Sequence, residues 1–246
     1  MKIPSVRGVI DRRILVNYRV DPDALAAMLP APFEPKLVGG FGVGGICLIR
    51  LKHIRPQFIP FEVGIGSENA AHRIAVDWTE GSTRREGVYI PRRDTSSHLN
   101  SLVGGRVFPG IHHHATFEVE EEDGCYAVSL RSDDGRTSLR VVGRVADSIS
   151  DSSIFDSVGA ASSFFERGSL GYSATAEPGR YDGLELRCLN WHVEPLAIEE
   201  VASSFFDDKD RFPNGTTEFD CALLMRGIEH EWHGRSPLCA CDEADA

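Results

Sequence analysis

The sequence contains no run of 18 apolar residues, so it offers no segment able to cross a membrane as a helix. Its opening residues, MKIPSVRGVIDRR, lack the apolar stretch of a secretory signal. Lysine is scarce: Lys2, Lys36, Lys52 and Lys209 are the only four. Positive charge is short in general, with 26 basic residues against 37 acidic ones and a formal net charge of −11. Such a surface repels phosphate backbones, which excludes nucleic acid as a partner class. No cysteine pairs stand at zinc-site spacing; Cys239 and Cys241 form a lone C-x-C in SPLCACDEADA. Cys47, Cys125, Cys188 and Cys221 sit singly in apolar or strand-like surroundings and read as reduced small hydrophobes. No G-x-S-x-G, P-loop or dinucleotide fingerprint occurs. The expectation is a soluble cytoplasmic protein with no cofactor and no membrane partner.

What the chain does have is the composition of a folded domain. It is 41% hydrophobic and 26% charged over 246 residues, enough for a sizeable core. In YRVDPDALAAMLPAPFEP, Asp21 is placed to cap a short helix, Pro22 suits its first turn, and Asp23 favours its positive end. Leu25, Met28 and Leu29 form its apolar face, and Pro30 stops it. Strand signals then take over. FGVGGICLIRLKHI is glycine-rich and then β-branched, the pattern of a bent or bulged strand. GSENAAHRIAVDW and REGVYIPRR read as an antiparallel pair. GIHHHATFEVEEE, CYAVSLRS and TSLRVVGRVAD form a meander with Asp123-Gly124 and Asp134-Gly135 at its turns. A second helix falls in SDSSIFDSVGAASSFFERG, where Phe155, Val158, Ser162 and Phe165 recur near helical spacing. ELRCLNWHVEPLAIEEVA reads as a strand, a break at Pro195 and a short helical turn, and FDCALLMRGIEHEWHG as a last strand. Strands dominate without βαβ alternation, so the fold class is mostly β, an antiparallel α+β or barrel-like domain. It is expected to occupy residues 1–235, with 236–246 an acidic flexible tail.

Four clusters carry candidate chemistry. In the run His112-His113-His114, strand alternation puts His112 and His114 on one face and His113 on the other. A metal there needs a third ligand that nothing in the sequence supplies. His230 and His233 in IEHEWHG fall on opposite faces of a strand and lack a zinc-helix motif. In GSENAAHRIAV, Glu68 shares a face with Ala70 and His72, and Asn69 with Ala71 and Arg73. The alanines leave room for a ligand between polar groups. Finally, Arg84, Arg85, Arg92 and Arg93 form a cationic cluster in an acidic chain. Arg92 and Arg93 point to opposite faces, so one of them at most enters an interior easily. There it is suited to clamp a carboxylate or phosphate.

Several stretches, in their order, resemble the acetoacetate decarboxylase-like superfamily over roughly residues 10–235. They include YRVDPDALAAMLPAPFEP, SENAAHRIAV and REGVYIPRR. HIRPQFIPF, GGRVFPGIHHHA, SSFFERGSLGYS and LNWHVEP are similar to a bacterial branch of that superfamily that has no assigned function. The resemblance implies an antiparallel β-barrel or cone enclosing a cavity, with a few helices outside. It also implies a site. The decarboxylases carry two lysines where this chain has Arg92 and Arg93, and the first lysine forms a Schiff base after activation by desolvation and a cationic neighbour. A guanidinium stays protonated and forms no imine. Of the four lysines only Lys52 lies within a strand.

Together these readings give a cavity protein that binds or acts on a small carboxylate-bearing metabolite without Schiff-base decarboxylation. Glu68, Arg92, His112 and His114 are the expected catalytic groups, and Asn69, Arg73, Arg93 and Arg106 the expected ligand-binding groups, with no metal. By the same alignment Arg92→Lys is the substitution expected to restore imine chemistry. A non-catalytic sensor and a histidine-dependent metalloenzyme are the competing readings. Whether the chain is an enzyme, and whether it forms a homo-oligomer, is left open at this level.

Overall fold

A computed structural model describes residues 5–57, 65–98 and 110–240. Among them, strands greatly outnumber helices. In chain order they are β1 (Val6–Val20), β2 (Glu34–Pro35), β3 (Leu37–Val38), β4 (Phe41–Pro56), β5 (Ile65–Glu80) and β6 (Thr83–Thr95). Then come β7 (His112–Glu122), β8 (Cys125–Ser132), β9 (Ser138–Val145), β10 (Leu170–Ala174) and β11 (Arg180–Cys188). The last two are β12 (Glu194–Ser203) and β13 (Thr217–Cys239). Helix α1 spans Pro22–Ala26 and helix α2 spans Val158–Arg167.

The ladder closes on itself twice. One ring runs β6-β7-β8-β9-β12-β13-β1-β4-β5 and returns to β6. A second leaves β6 through β10 and β11 and rejoins β13. Strands β13, β1, β4, β5 and β6 belong to both rings, so they form a shared wall. Their alternating side chains serve two cores. Ile14, Val16, Ile46, Leu48 and Ala70 join one cluster with Phe205 and Phe206. Leu15, Cys47, Ile49 and Leu51 join the other with Phe164 and Phe165 of α2.

Local chemistry sets the boundaries. The Asp21 side chain accepts from the backbone N–H of Asp23 and Ala24, both at 3.0 Å, and starts α1. Ser157 caps α2 by accepting from the Ala160 N–H. Gly124 and Gly135 take positive φ at the two Asp-Gly turns of the meander. The mostly β class expected from the sequence is present.

Three local expectations differ. Pro195 does not break a strand before a helical turn; it lies inside β12. There the strand passes from pairing with β13 to pairing with β9, and the missing proline N–H falls at that junction. Strand β13 continues through Cys239, which pairs with Arg180, so the sequence boundary at 235/236 cuts a paired strand. Strand β6 pairs in parallel with β10 and β7, because chain excursions of many residues separate them. No helix among the described residues is long and apolar enough to cross a membrane.

Candidate functional site

On the α2 side of the shared wall lies a cavity of about 120 Å³. Its walls are apolar where Ile49, Val88, Ile90, Leu184 and Leu186 meet, and its polar groups come mostly from the wall strands. Asn69, Ala71 and Arg73 of β5 all face it, as their shared strand face requires. Arg13 of β1, Cys47 of β4, Arg93 of β6 and His112 of β7 add to the set, and Asp94, Ser169 and Trp232 also border the cavity, with the Asp94 carboxylate held by Arg92. Pairing explains the convergence: Cys47 lies beside Ala71, Ala71 beside Arg93, and Arg93 beside His112.

The three guanidiniums have unusual partners. Arg93 Nε donates to Ser173 Oγ at 3.0 Å. Arg73 donates to Asn17 Oδ1 and lies 4.6 Å from the Phe165 ring centroid, while its Nε has no partner among the described residues. Arg13 Nε donates to Cys47 Sγ at 3.1 Å, and its guanidinium lies 5.9 Å from the Trp191 ring centroid. Among the described residues no carboxylate forms an ion pair with any of the three. Burial pulls Arg93 down to about 10, a nearby Cys47 acting only weakly against it. Burial also pulls Arg73 down to about 10, with Arg13 adding like-charge repulsion. Both remain cationic at neutral pH.

Two glycines make the arrangement fit. Gly45 sits opposite Arg73, and a Cβ there would stand 2.5 Å from the Val16 carbonyl oxygen and 3.3 Å from the Arg73 guanidinium. Gly110 has φ +82°, and a Cβ there would stand 2.6 Å from the Ser173 side chain. Its carbonyl lies 3.3 Å from His112 Nδ1. That contact makes Nδ1 the protonated nitrogen of the neutral ring. Burial, then the Arg93 charge, lowers His112 to about 4, so the ring is neutral at pH 7.

The remaining expected site residues lie elsewhere. Glu68 is on the opposite face of β5, where it accepts from Arg12 and Arg50. Arg12 is 1% exposed and bridges Glu68 to Glu121. Arg92 also takes the opposite face, held by Asp94 at 2.7 Å and Asp134 at 3.0 Å. Arg93, not Arg92, is therefore the arginine that enters the cavity. His114 bonds Asp133 at 2.7 Å and stacks on His98, away from the cavity lining. His230 packs edge-on against Trp232, whereas His233 bonds Glu231. Arg106 lies outside the described residues. No three His, Cys, Asp or Glu side chains among the described residues are grouped to hold a metal.

Arg13 and Cys47 are the cavity groups not anticipated from the sequence. The signal for Arg13 was the doublet Arg12-Arg13 inside an apolar strand, the same pattern as Arg92-Arg93. The described lysines take no part in the lining. Lys36 pairs with Glu86, and Lys52 pairs with Asp11 at 2.9 Å.

Comparison with known proteins gives a family and a fold. The sequence pattern of the DUF2071 family, described as an uncharacterized conserved protein, matches residues 10–222. None of the curated proteins matches the chain. The fold is similar to that of an acetoacetate decarboxylase from Legionella pneumophila, at TM-score 0.60 and 13% identity over 94% of this chain and 86% of that one. An acetoacetate decarboxylase-like enzyme from Sphingomonas wittichii RW1 is similar at TM-score 0.60 and 12% identity, over 97% of this chain and 93% of that one. The enduracididine biosynthesis enzyme MppR, complexed with pyruvate, is similar at TM-score 0.61 and 13% identity, over 98% and 92%. At such identities the likeness is one of architecture.

Proposed function

This chain belongs to the DUF2071 family, and from that premise we propose that its cavity binds a small carboxylate-bearing metabolite of the cytoplasm. The observation that carries the reading is the trio Arg13, Arg73 and Arg93, Arg73 buried and the other two half-buried, lining one cavity without an ion-pair partner among the described residues. The chain matches many other arginines to carboxylates, as at Arg12, Arg92 and Arg226. Burying a charge without such a partner is costly. A bound anion offsets that cost and gains charge-assisted hydrogen bonds, bidentate where a guanidinium fork meets a carboxylate. The size of the cavity favours an acid of few atoms, with its carbon skeleton against Leu184, Leu186 and Ile90.

The reading extends to acid–base chemistry without an imine. Neutral His112 lies beside Arg93 in the same cavity lining. No described lysine lines the cavity, so the amine that a Schiff base needs is not at hand. The similarity in fold to a decarboxylase, and to an enzyme complexed with pyruvate, fits a small acid. His112 favours a catalytic cavity over a passive sensor.

Mass spectrometry of small molecules released by denaturing freshly purified protein tests the reading. The expected result is an organic acid in near-stoichiometric amount, absent from Arg93→Gln. A neutral molecule in that amount, or the same acid retained by Arg93→Gln, contradicts it.

A further inference from the structure

Cys47 belongs to the α2-side core and also lines the cavity. It is 7% exposed, and its sulfur accepts from Arg13 Nε at 3.1 Å. Along its row of the wall stand Ala71 on the next strand and Arg93 on the one beyond. Adjacent strands lie roughly 4.8 Å apart, so the small Ala71 methyl is all that separates the sulfur from the base of the Arg93 side chain. Arg73 is 5% exposed, lines the same cavity and has an Nε without a partner among the described residues. A carboxylate held by Arg73 and Arg93 would lie near Ala71, in the same cavity that Cys47 lines. Thiolate, not thiol, is the attacking species, and the Arg13 N–H is aimed at the lone pairs that a thiolate presents.

We infer that Cys47 is a nucleophile toward electrophilic carboxylates held by Arg73 and Arg93, an inference that rests on the anion-binding reading above. With a 2-oxo acid the sulfur electron pair bonds to the carbonyl carbon. The carbonyl π pair moves to oxygen, which takes the thiol proton, and the product is a hemithioketal. With iodoacetate the same pair displaces iodide, a carbon–sulfur bond replaces the carbon–iodine bond, and the thiol proton passes to water. Neither step needs an oxidant or a further reactant.

The test compares alkylation of the full chain by anionic iodoacetate and neutral iodoacetamide, with each cysteine followed by peptide mass spectrometry. Exposed Cys125 is the internal control. The expected iodoacetate-to-iodoacetamide rate ratio at Cys47 exceeds that at Cys125 by roughly tenfold or more, the worth of one charge-assisted contact. Arg93→Gln brings the Cys47 ratio down toward the Cys125 ratio and leaves Cys125 unchanged. The ratio in the unsubstituted chain is decisive even where that variant folds poorly. Cys47 left unlabelled while pyruvate binds by calorimetry overturns the inference and leaves the anion site standing. Equal ratios at Cys47 and Cys125, with no pyruvate binding, overturn both.

Discussion

If the cavity is built for an anion, removing Arg93 should stabilise the empty protein. Burial lowers Arg93 from 12.5 to about 10. At 1.36 kcal/mol per unit, the charged form carries a penalty of about 3 kcal/mol in the folded state. Below about pH 10 the group is charged in both the folded and unfolded chain, so the penalty is present in full at pH 7. Arg93→Met removes it, at the loss of the Ser173 hydrogen bond, worth about 1 kcal/mol. The expected net effect is a gain of about 2 kcal/mol without ligand, or roughly 4–8 °C in Tm for a chain of this size. Small acids should then raise the Tm of the unsubstituted protein but not that of the variant. Arg12→Met is the contrasting control. It leaves Glu68 and Glu121 on the opposite face to Arg50 alone, losing two charge-assisted hydrogen bonds, and should cost about 2–3 kcal/mol. Urea unfolding at pH 7 in an acid-free buffer measures both. If Arg93→Met proves as destabilised as Arg12→Met, the protein itself satisfies the Arg93 charge and the argument for an anion fails.

Further outcomes follow from the same geometry. Burial holds His72 at about 3 and His112 and His230 at about 4. Their folded values lie below the unfolded 6.5, so their contribution is complete above pH 6.5 and is lost as pH falls toward 4. Each histidine adds a slope of up to about 1.4 kcal/mol per pH unit, because the unfolded chain takes up the proton first. His72→Leu should flatten stability against pH between 6.5 and 4, and an unaltered slope in urea titrations would refute its neutral burial. Gly45→Ala should destabilise by about 1–3 kcal/mol and weaken acid binding, since its methyl meets the Val16 carbonyl and crowds Arg73. Borohydride with pyruvate should leave no adduct on the unsubstituted chain, whose described lysines lie off the cavity lining. Arg93→Lys, and not Arg92→Lys, should gain an adduct by mass spectrometry, because only position 93 faces the cavity.

Features governed by neighbours in sequence were legible in advance. The Asp21 cap, the two Asp-Gly turns and the split of Glu68 and Asn69 to opposite faces all follow from local backbone geometry. Strand alternation also required Arg92 and Arg93 to diverge. It did not say which one entered the cavity, because the shared wall is buried on both sides. Ordinarily one face of a strand is polar and reveals itself. Here Arg12, Arg50, Glu68 and Arg92 mark the side that carries the ion-pair network, while Arg13, Asn69, Arg73 and Arg93 mark the side with the cavity. Both sides show polar groups among apolar ones, so the sequence pattern is the same. Long-range pairing was similarly hidden: the parallel contacts of β6, and the β11 partner that extends β13 to Cys239, depend on strands far apart in the chain.

Titration calorimetry with pyruvate and with its neutral amide, on the full chain and on Arg93→Gln, tests the central claim most directly. The account predicts saturable one-to-one binding of the acid, at least roughly tenfold weaker binding of the amide, and loss of acid binding in the variant. Equal affinity for acid and amide, or undiminished acid binding by Arg93→Gln, would contradict it.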